Sequence, residues 1–174
     1  MKGYLMQEQG FIRGNDTFIE SYSPENRWGV VFEDDGDTAY FYAMEKDPEG
    51  QGLRVLDALH IYETAENAGK KSVAKKDAVK PAKSAKSVVK KSATKTAKSA
   101  KTAVQPAVPT QPSKLIIVWS RDWEKCALVI DGFCHAIYDF KEQGGYSINE
   151  FPPPNSFWTK GDRKLTDQLI KSIF

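Results

Sequence analysis

Two histidines offer the clearest opportunity for acid–base chemistry in this chain. His60 lies in Leu56-Asp57-Ala58-Leu59-His60-Ile61-Tyr62, and His135 in Cys134-His135-Ala136-Ile137-Tyr138-Asp139. An imidazole titrates near neutrality, and a nearby carboxylate can orient it or share a proton with it. Asp57 and Asp139 are close enough in sequence to play that part. Each histidine sits inside an apolar run, however, where a core ring with satisfied nitrogens is the commoner arrangement. No HxxxH, CxxC, GxSxG or phosphate-cradling glycine loop accompanies them. An enzyme using His60 and His135 is therefore the weakest of three readings. The expected assignment is no catalytic residue, no metal and no cofactor.

The run Glu33-Asp34-Asp35-Gly36-Asp37 invites a metal, but its spacing is wrong for a calcium loop, which needs oxygen ligands at alternate positions and a glutamate at the twelfth. Asp and Gly are what a tight turn requires. The two cysteines, Cys126 and Cys134, are too few for a disulfide framework, and the predicted strand pairing points them to opposite faces.

The strongest compositional signal is electrostatic. From Gly69 to Lys114 the chain carries 13 Lys against one acid, Asp77, while the remaining residues hold 12 Lys and Arg against 22 Asp and Glu. The net charge of +2 thus conceals a basic and an acidic polyion in one chain. The tract has no aromatic residue and only scattered valines, so it cannot bury enough surface to offset its conformational entropy. It is read as a disordered Lys/Ala/Ser/Pro-rich insertion. In composition it resembles linker-histone tails and the lysine/alanine repeats of some bacterial nucleoid-associated proteins. Its expected nucleic-acid contacts are Lys70, Lys71, Lys75, Lys76, Lys80, Lys83, Lys86, Lys90, Lys91, Lys95, Lys98 and Lys101. They would neutralise phosphates and release counterions. With no arginine or aromatic ring in the tract, base reading and stacking are not expected. A plain spacer, or docking onto the chain's own acidic part, are the alternatives.

The flanks must position everything else. Residues 1–68 and 115–174 are each short for a robust core, and together they suit one domain, with 69–114 inserted between the halves. Within Trp28–Ala43 two aromatic and β-branched runs flank Asp35-Gly36, a hairpin signal. With that turn, Phe32 faces Ala39, Val30 faces Phe41 and Trp28 faces Ala43 on an apolar face. The opposite face carries Glu33, Val31, Tyr40 and Tyr42. Glu33, Asp34, Asp35, Asp37, Tyr40 and Tyr42 are accordingly the expected partner-binding residues.

A second hairpin turns at Asp131-Gly132 and places Ile130, Leu128, Cys126, Phe133, His135 and Ile137 on one face. Leu115–Trp119, Thr17–Tyr22 and Leu53–Tyr62 complete the predicted strands. Phe151-Pro152-Pro153-Pro154 reads as extended polyproline packed under Trp158. Leu165, Leu169, Ile170 and Ile173 form a helical stripe over 162–173, with Asp162 as its N-cap. The fold class is α+β: an antiparallel, strongly curved sheet with a C-terminal helix, interrupted by a long disordered basic loop.

The strings Glu20-Ser21-Tyr22-Ser23-Pro24, Gly29-Val30-Val31-Phe32-Glu33-Asp34-Asp35-Gly36-Asp37-Thr38, Leu56–Tyr62 and His135–Phe140 resemble a family of small bacterial proteins catalogued as domain of unknown function 2251. The resemblance covers the flanks and omits the basic tract. It implies two halves joined by a short connection, so that this chain departs from the pattern with a low-complexity insertion. It implies no established activity and supplies no catalytic residues.

The leading expectation is a non-enzymatic cytoplasmic binding protein. Its basic loop would contact DNA or RNA without sequence specificity, and its acidic domain would bind a separate protein partner. An immunity- or antitoxin-like inhibitor that caps a basic toxin is the second reading. No apolar run is long enough for a signal peptide or a membrane span, so no membrane association is expected.

Overall fold

The computed structural model of the protein describes residues 6–25, 27–50, 52–64, 111–155 and 157–174. Among these residues, nine strands and one helix follow in order: β1 (Met6–Phe11), β2 (Thr17–Tyr22), β3 (Trp28–Asp34), β4 (Thr38–Lys46), β5 (Leu53–Glu63), β6 (Ser113–Trp119), β7 (Lys125–Ile130), β8 (Phe133–Asp139), β9 (Gly144–Ser147) and α1 (Asp167–Ile173). They form two antiparallel sheets, β1-β6-β7-β8-β9 and β2-β3-β4-β5. The expected antiparallel β architecture with a C-terminal helix is present, its strands arranged in two sheets. The first strand of the chain pairs along its length with β6, from Met6 opposite Val118 to Phe11 opposite Ser113.

The division follows from the side-chain alternation of each strand. Ile19, Val30, Phe32, Ala39, Phe41, Leu59 and Ile61 on one sheet meet Leu115, Ile117, Trp119, Cys126, Leu128, Ala136 and Tyr138 on the other. Both sets are excluded from water, so each sheet buries the inner face of the other. Polar groups inside this layer are paired: Trp119 Nε1 donates to Ser21 Oγ at 3.0 Å, and the Tyr138 hydroxyl to the Phe41 carbonyl at 2.6 Å. A second apolar layer lies on the far side of the five-stranded sheet. There Val118, Ala127, Val129 and Ile137 receive Ile173, with Leu165, Leu169 and Ile170 packed around them. The helical stripe is therefore core, as expected.

Several local readings are corrected. The first hairpin pairs Phe32 with Phe41, Val30 with Ala43 and Trp28 with Glu45. The turn is centred one residue further on because Asp35 Oδ1 accepts from the amides of Asp37 (2.9 Å) and Thr38 (2.8 Å). The side chain thus takes over part of the turn's hydrogen bonding. Partners shift by two residues, so both faces keep their composition.

The second hairpin does turn at Asp131-Gly132, both with positive φ (51° and 83°), the two-residue geometry that matches strand twist. A bulge then leaves His135 between the Val129–Cys134 and Leu128–Ala136 pairs. Beyond it Ala136 and Tyr138 face the main core, and Ile137 faces the helix. Ile137 is thereby moved off the expected face shared with Leu128, while Phe133 keeps its place opposite Ile130 and is 72% exposed.

The helix starts at Asp167, capped by the Thr166 hydroxyl, and not at 162. Residues before it are held extended by a parallel bridge from Lys164 to Ser147. Asp162 Oδ1 accepts instead from the Lys164 amide at 3.1 Å. Phe151 packs edge-on against His60, and its carbonyl accepts from the His60 amide; its peptide bond to Pro152 is cis.

Candidate functional site

The acidic turn separates into two environments. Asp34 lies on the inner face of β3 and is fully buried. Its carboxylate accepts from the Gly14 amide (2.8 Å), the Gly36 amide (2.9 Å) and the Tyr62 hydroxyl (2.6 Å). It therefore ties the turn to the 12–16 loop and to β5, and it is not available to a partner. Burial first, and the Asp34 carboxylate second, hold the Tyr62 hydroxyl far above the ordinary phenol range. Asp35 and Asp37 are exposed at the tip. Bonds from the Thr38 and Asp37 amides hold the Asp35 carboxyl below the usual carboxylate range.

The remaining expected residues come together on the outer face of the four-stranded sheet. Antiparallel register sets Phe18, Glu33, Tyr40 and His60 in one row across β2, β3, β4 and β5, with Glu20, Val31, Tyr42 and Ala58 in the next. A third row holds Tyr22, Gly29, Met44 and Val55. Phe18 is 62% exposed, Glu20 is exposed, and Tyr22, Glu33, Tyr40 and Tyr42 are half-buried. The Tyr40 and Tyr42 rings stack at 6.0 Å, and Tyr22 donates to Glu20 at 3.0 Å. Burial, followed by the Glu33 carboxylate, pushes the Tyr42 hydroxyl up to about 12. Across these four strands the cations are Lys46 and Arg54, both near the far end, with Arg54 ion-paired to Glu45. The face is aromatic and anionic. Such a surface suits a cationic partner, because an ammonium or guanidinium group is attracted by both carboxylates and ring faces.

The histidines are held separately. His60 lies at the edge of this face, with Asn149 Nδ2 at 3.1 Å from Nδ1, Glu63 at 3.6 Å from Nε2, and the rings of Tyr40 and Phe151 edge-on to it. His135 sits at the bulge on the other sheet, where burial, then the Arg13 charge, lower its pKa. Their sequence-neighbouring acids are occupied elsewhere: Asp139 by the Glu142 amide and Lys125, and Asp57 by Arg163. Among the described residues no group of three or more His, Cys, Asp or Glu side chains could hold a metal ion. Cys126 and Cys134 are free thiols, and burial pushes Cys134 up to about 11.

The most densely bonded polar cluster was not anticipated. Asp57, on the inner face of β5, accepts from both terminal nitrogens of Arg163 at 2.7 and 2.8 Å, from Thr159 Oγ1 at 2.7 Å and from Asn155 Nδ2 at 3.1 Å. Both charges are almost wholly buried, 1% and 2% exposed at the side chain. Gly145 makes room for the cluster, since a Cβ there would lie 2.6 Å from Asp57 Oδ2. The sequence did hold one signal. Asp57 shares its parity with Leu59 and Ile61, so a carboxylate on the core face needed a cation. Beside this cluster a cleft of about 150 Å³ is lined by Glu142, Tyr146, Trp158, Thr159, Lys160 and Asp162 among others. That is smaller than the several hundred Å³ usual for a small-molecule site.

The twelve lysines expected to contact nucleic acid, Lys70 through Lys101, lie outside the described residues. No helix among the described residues is long and apolar enough to cross a membrane.

Comparison with known sequences gives two matches. A family described as "Uncharacterized protein conserved in bacteria", DUF2251, matches residues 11–88 and 101–174. The match reaches into the lysine-rich tract from both sides. A Haemophilus influenzae protein named "Uncharacterized protein" is 27% identical over 160 residues, which span 90% of this chain and 74% of that one. No solved structure matches.

Proposed function

This chain belongs to the DUF2251 family of uncharacterised bacterial proteins, and we propose that it acts as a non-enzymatic cytoplasmic binding protein with two working surfaces of opposite charge. The observation that carries this reading is the outer face of β2–β4, where Glu20 and Glu33 are interleaved with Phe18, Tyr22, Tyr40 and Tyr42. Large rigid rings supply contact area at low entropic cost, and the carboxylates select a basic partner. The lysine-rich tract is the second surface and binds DNA or RNA through phosphates, without sequence preference. One domain carries both, with the tract inserted between its halves. β1 pairing with β6 and the shared core between the sheets support this organisation.

The test is capture from the native host with and without nuclease, comparing wild type with a Glu20→Lys/Glu33→Lys variant. A basic protein that persists after nuclease and is lost in the variant is the expected result. If every captured protein disappears with nuclease, the sheet face has no partner of its own. An immunity-like inhibitor of a basic toxin is a second reading favoured by the same face. Co-expression separates it: only an inhibitor restores growth to cells producing a basic toxin from a gene neighbouring its own, where the host genome carries one.

A further inference from the structure

We propose that in the free protein the outer face of β2–β4 is occupied by the chain's own lysine-rich tract, and that a polyanion displaces it. This rests on the reading of that face as a docking surface, and it names the face's resident occupant. The face presents carboxylates on adjacent strands, Glu20 on β2 and Glu33 on β3, flanked by the rings of Phe18, Tyr40 and Tyr42. β2 and β3 contain no lysine or arginine. The face therefore lacks a cation of its own at its centre, while twelve lysines lie between residues 70 and 101 of the same chain.

Connectivity makes the encounter local. The tract leaves from the end of β5, where Glu63 pairs with Thr38 of β4, and returns at Ser113 of β6. At about 3.3 Å per extended residue, the chain between residues 65 and 110 exceeds 100 Å in contour, so reach does not limit contact. A tethered ligand of this kind meets its site at an effective concentration in the millimolar range. Individually weak ammonium–carboxylate and ammonium–ring contacts then suffice. They are also interchangeable along a repeated sequence such as Ala82-Lys83-Ser84-Ala85-Lys86 and Ala97-Lys98-Ser99-Ala100-Lys101.

The same lysines cannot neutralise phosphates and face Glu20 and Glu33 together. Nucleic-acid binding and exposure of the sheet face are therefore coupled, and the coupling is reciprocal. A duplex that takes the tract uncovers the aromatic face; a protein that takes the face frees the tract for nucleic acid. Both effects weaken as salt screens the charges.

The experiment uses full-length ¹⁵N-labelled protein, wild type and a Lys83→Gln/Lys86→Gln/Lys98→Gln/Lys101→Gln variant, at 20 and about 500 mM NaCl. At low salt the amides of Phe18, Glu20, Val31, Tyr40 and Tyr42 are expected to differ between the two proteins and to converge at high salt, while those of β7 and β8 coincide throughout. Identical face amides at low salt overturn the proposal. So do differences that scale with protein concentration, which would make a second copy the occupant. A Glu20→Gln/Glu33→Gln/Tyr42→Ser variant should bind a 20-base-pair duplex about three-fold or more tighter than wild type at low salt, with the gap closing as salt rises. Unchanged affinity, with duplex bound by both, removes the competition. If neither binds duplex, the nucleic-acid part of the proposed function fails and displacement by a polyanion fails with it. The amide comparison still decides whether the tract occupies the face.

Discussion

Arg163 sets both terminal nitrogens of its guanidinium against the two carboxylate oxygens of Asp57, at 2.7 and 2.8 Å, across 106 residues of sequence. The pair fastens the segment before the C-terminal helix to the inner face of β5. Removing one partner leaves the other charge buried and uncompensated. Asp57→Asn or Arg163→Met should each cost about 3–5 kcal/mol, read as the loss of urea midpoint at constant slope. Asp57→Leu combined with Arg163→Met should recover much of that loss, because no orphan charge remains. A double variant as unstable as the sum of the singles would show that the pair acts through its other bonds, to Thr159 and Asn155.

Asp34 is expected to behave as a structural carboxylate. Tyr62→Phe removes one of its three hydrogen bonds and should cost about 1.5–3 kcal/mol. Asp34→Ala removes the acceptor for two backbone amides as well and should cost more. Tyr22→Phe, which loses only a bond to the exposed Glu20, should be close to neutral. Equilibrium unfolding ranks the three; a Tyr22 effect equal to that of Tyr62 would contradict the assignment.

His135 should make stability depend on pH on the acid side. Burial and Arg13 depress its pKa, so the unfolded chain binds the proton more readily than the folded one. Its contribution is present above its unfolded pKa of about 6.5 and is lost as pH falls through the depressed folded value. The melting temperature of wild type should fall more between pH 7.5 and pH 5 than that of His135→Gln. Equal falls would place the acid sensitivity elsewhere.

Replacing residues 67–110 with a short Gly/Ser linker should leave a cooperatively unfolding domain, since loop-closure entropy changes slowly with length. Residues 1–68 alone should not fold, because β1 then lacks β6 and the inner face of the four-stranded sheet lacks its cover. Cooperative unfolding of that half by circular dichroism would establish two domains instead of one.

Duplex binding by the full-length protein should fall steeply with salt. The slope of log K against log salt is about 0.9 per phosphate neutralised. The four-lysine Gln variant should bind less tightly and show a flatter slope, by similar amounts on unrelated duplexes. A loss confined to one sequence would mean that bases are being read.

Seven of the nine strands, the two Asp-Gly turns, the helical stripe and the charge separation were legible in the residues themselves, whereas β1 and the glycine-led β9 carried no such alternation. Each is a local property: alternation marks a strand's two faces, a three-to-four residue spacing marks a helix, and Asp-Gly marks where backbone can reverse. Glu33, Tyr40 and Tyr42 could thus be placed together on one face even though the turn beside them was set one residue off. A two-residue shift of partners preserves strand parity. The bulge at His135 was not legible, because one unpaired residue leaves the same apolar composition on both sides of it.

Only the tertiary structure decided how the chain divides into two sheets, that the inward-facing Asp34 meets the Gly14 amide and the Tyr62 hydroxyl, and that Asp57 finds Arg163. The alternation around Asp57 required a cation somewhere, but the chain has several, and nothing within a few residues selects one. That choice depends on which segments pack across the core and on the space left by Gly145. Local patterning states what a side chain needs; the packing of distant segments determines which group supplies it.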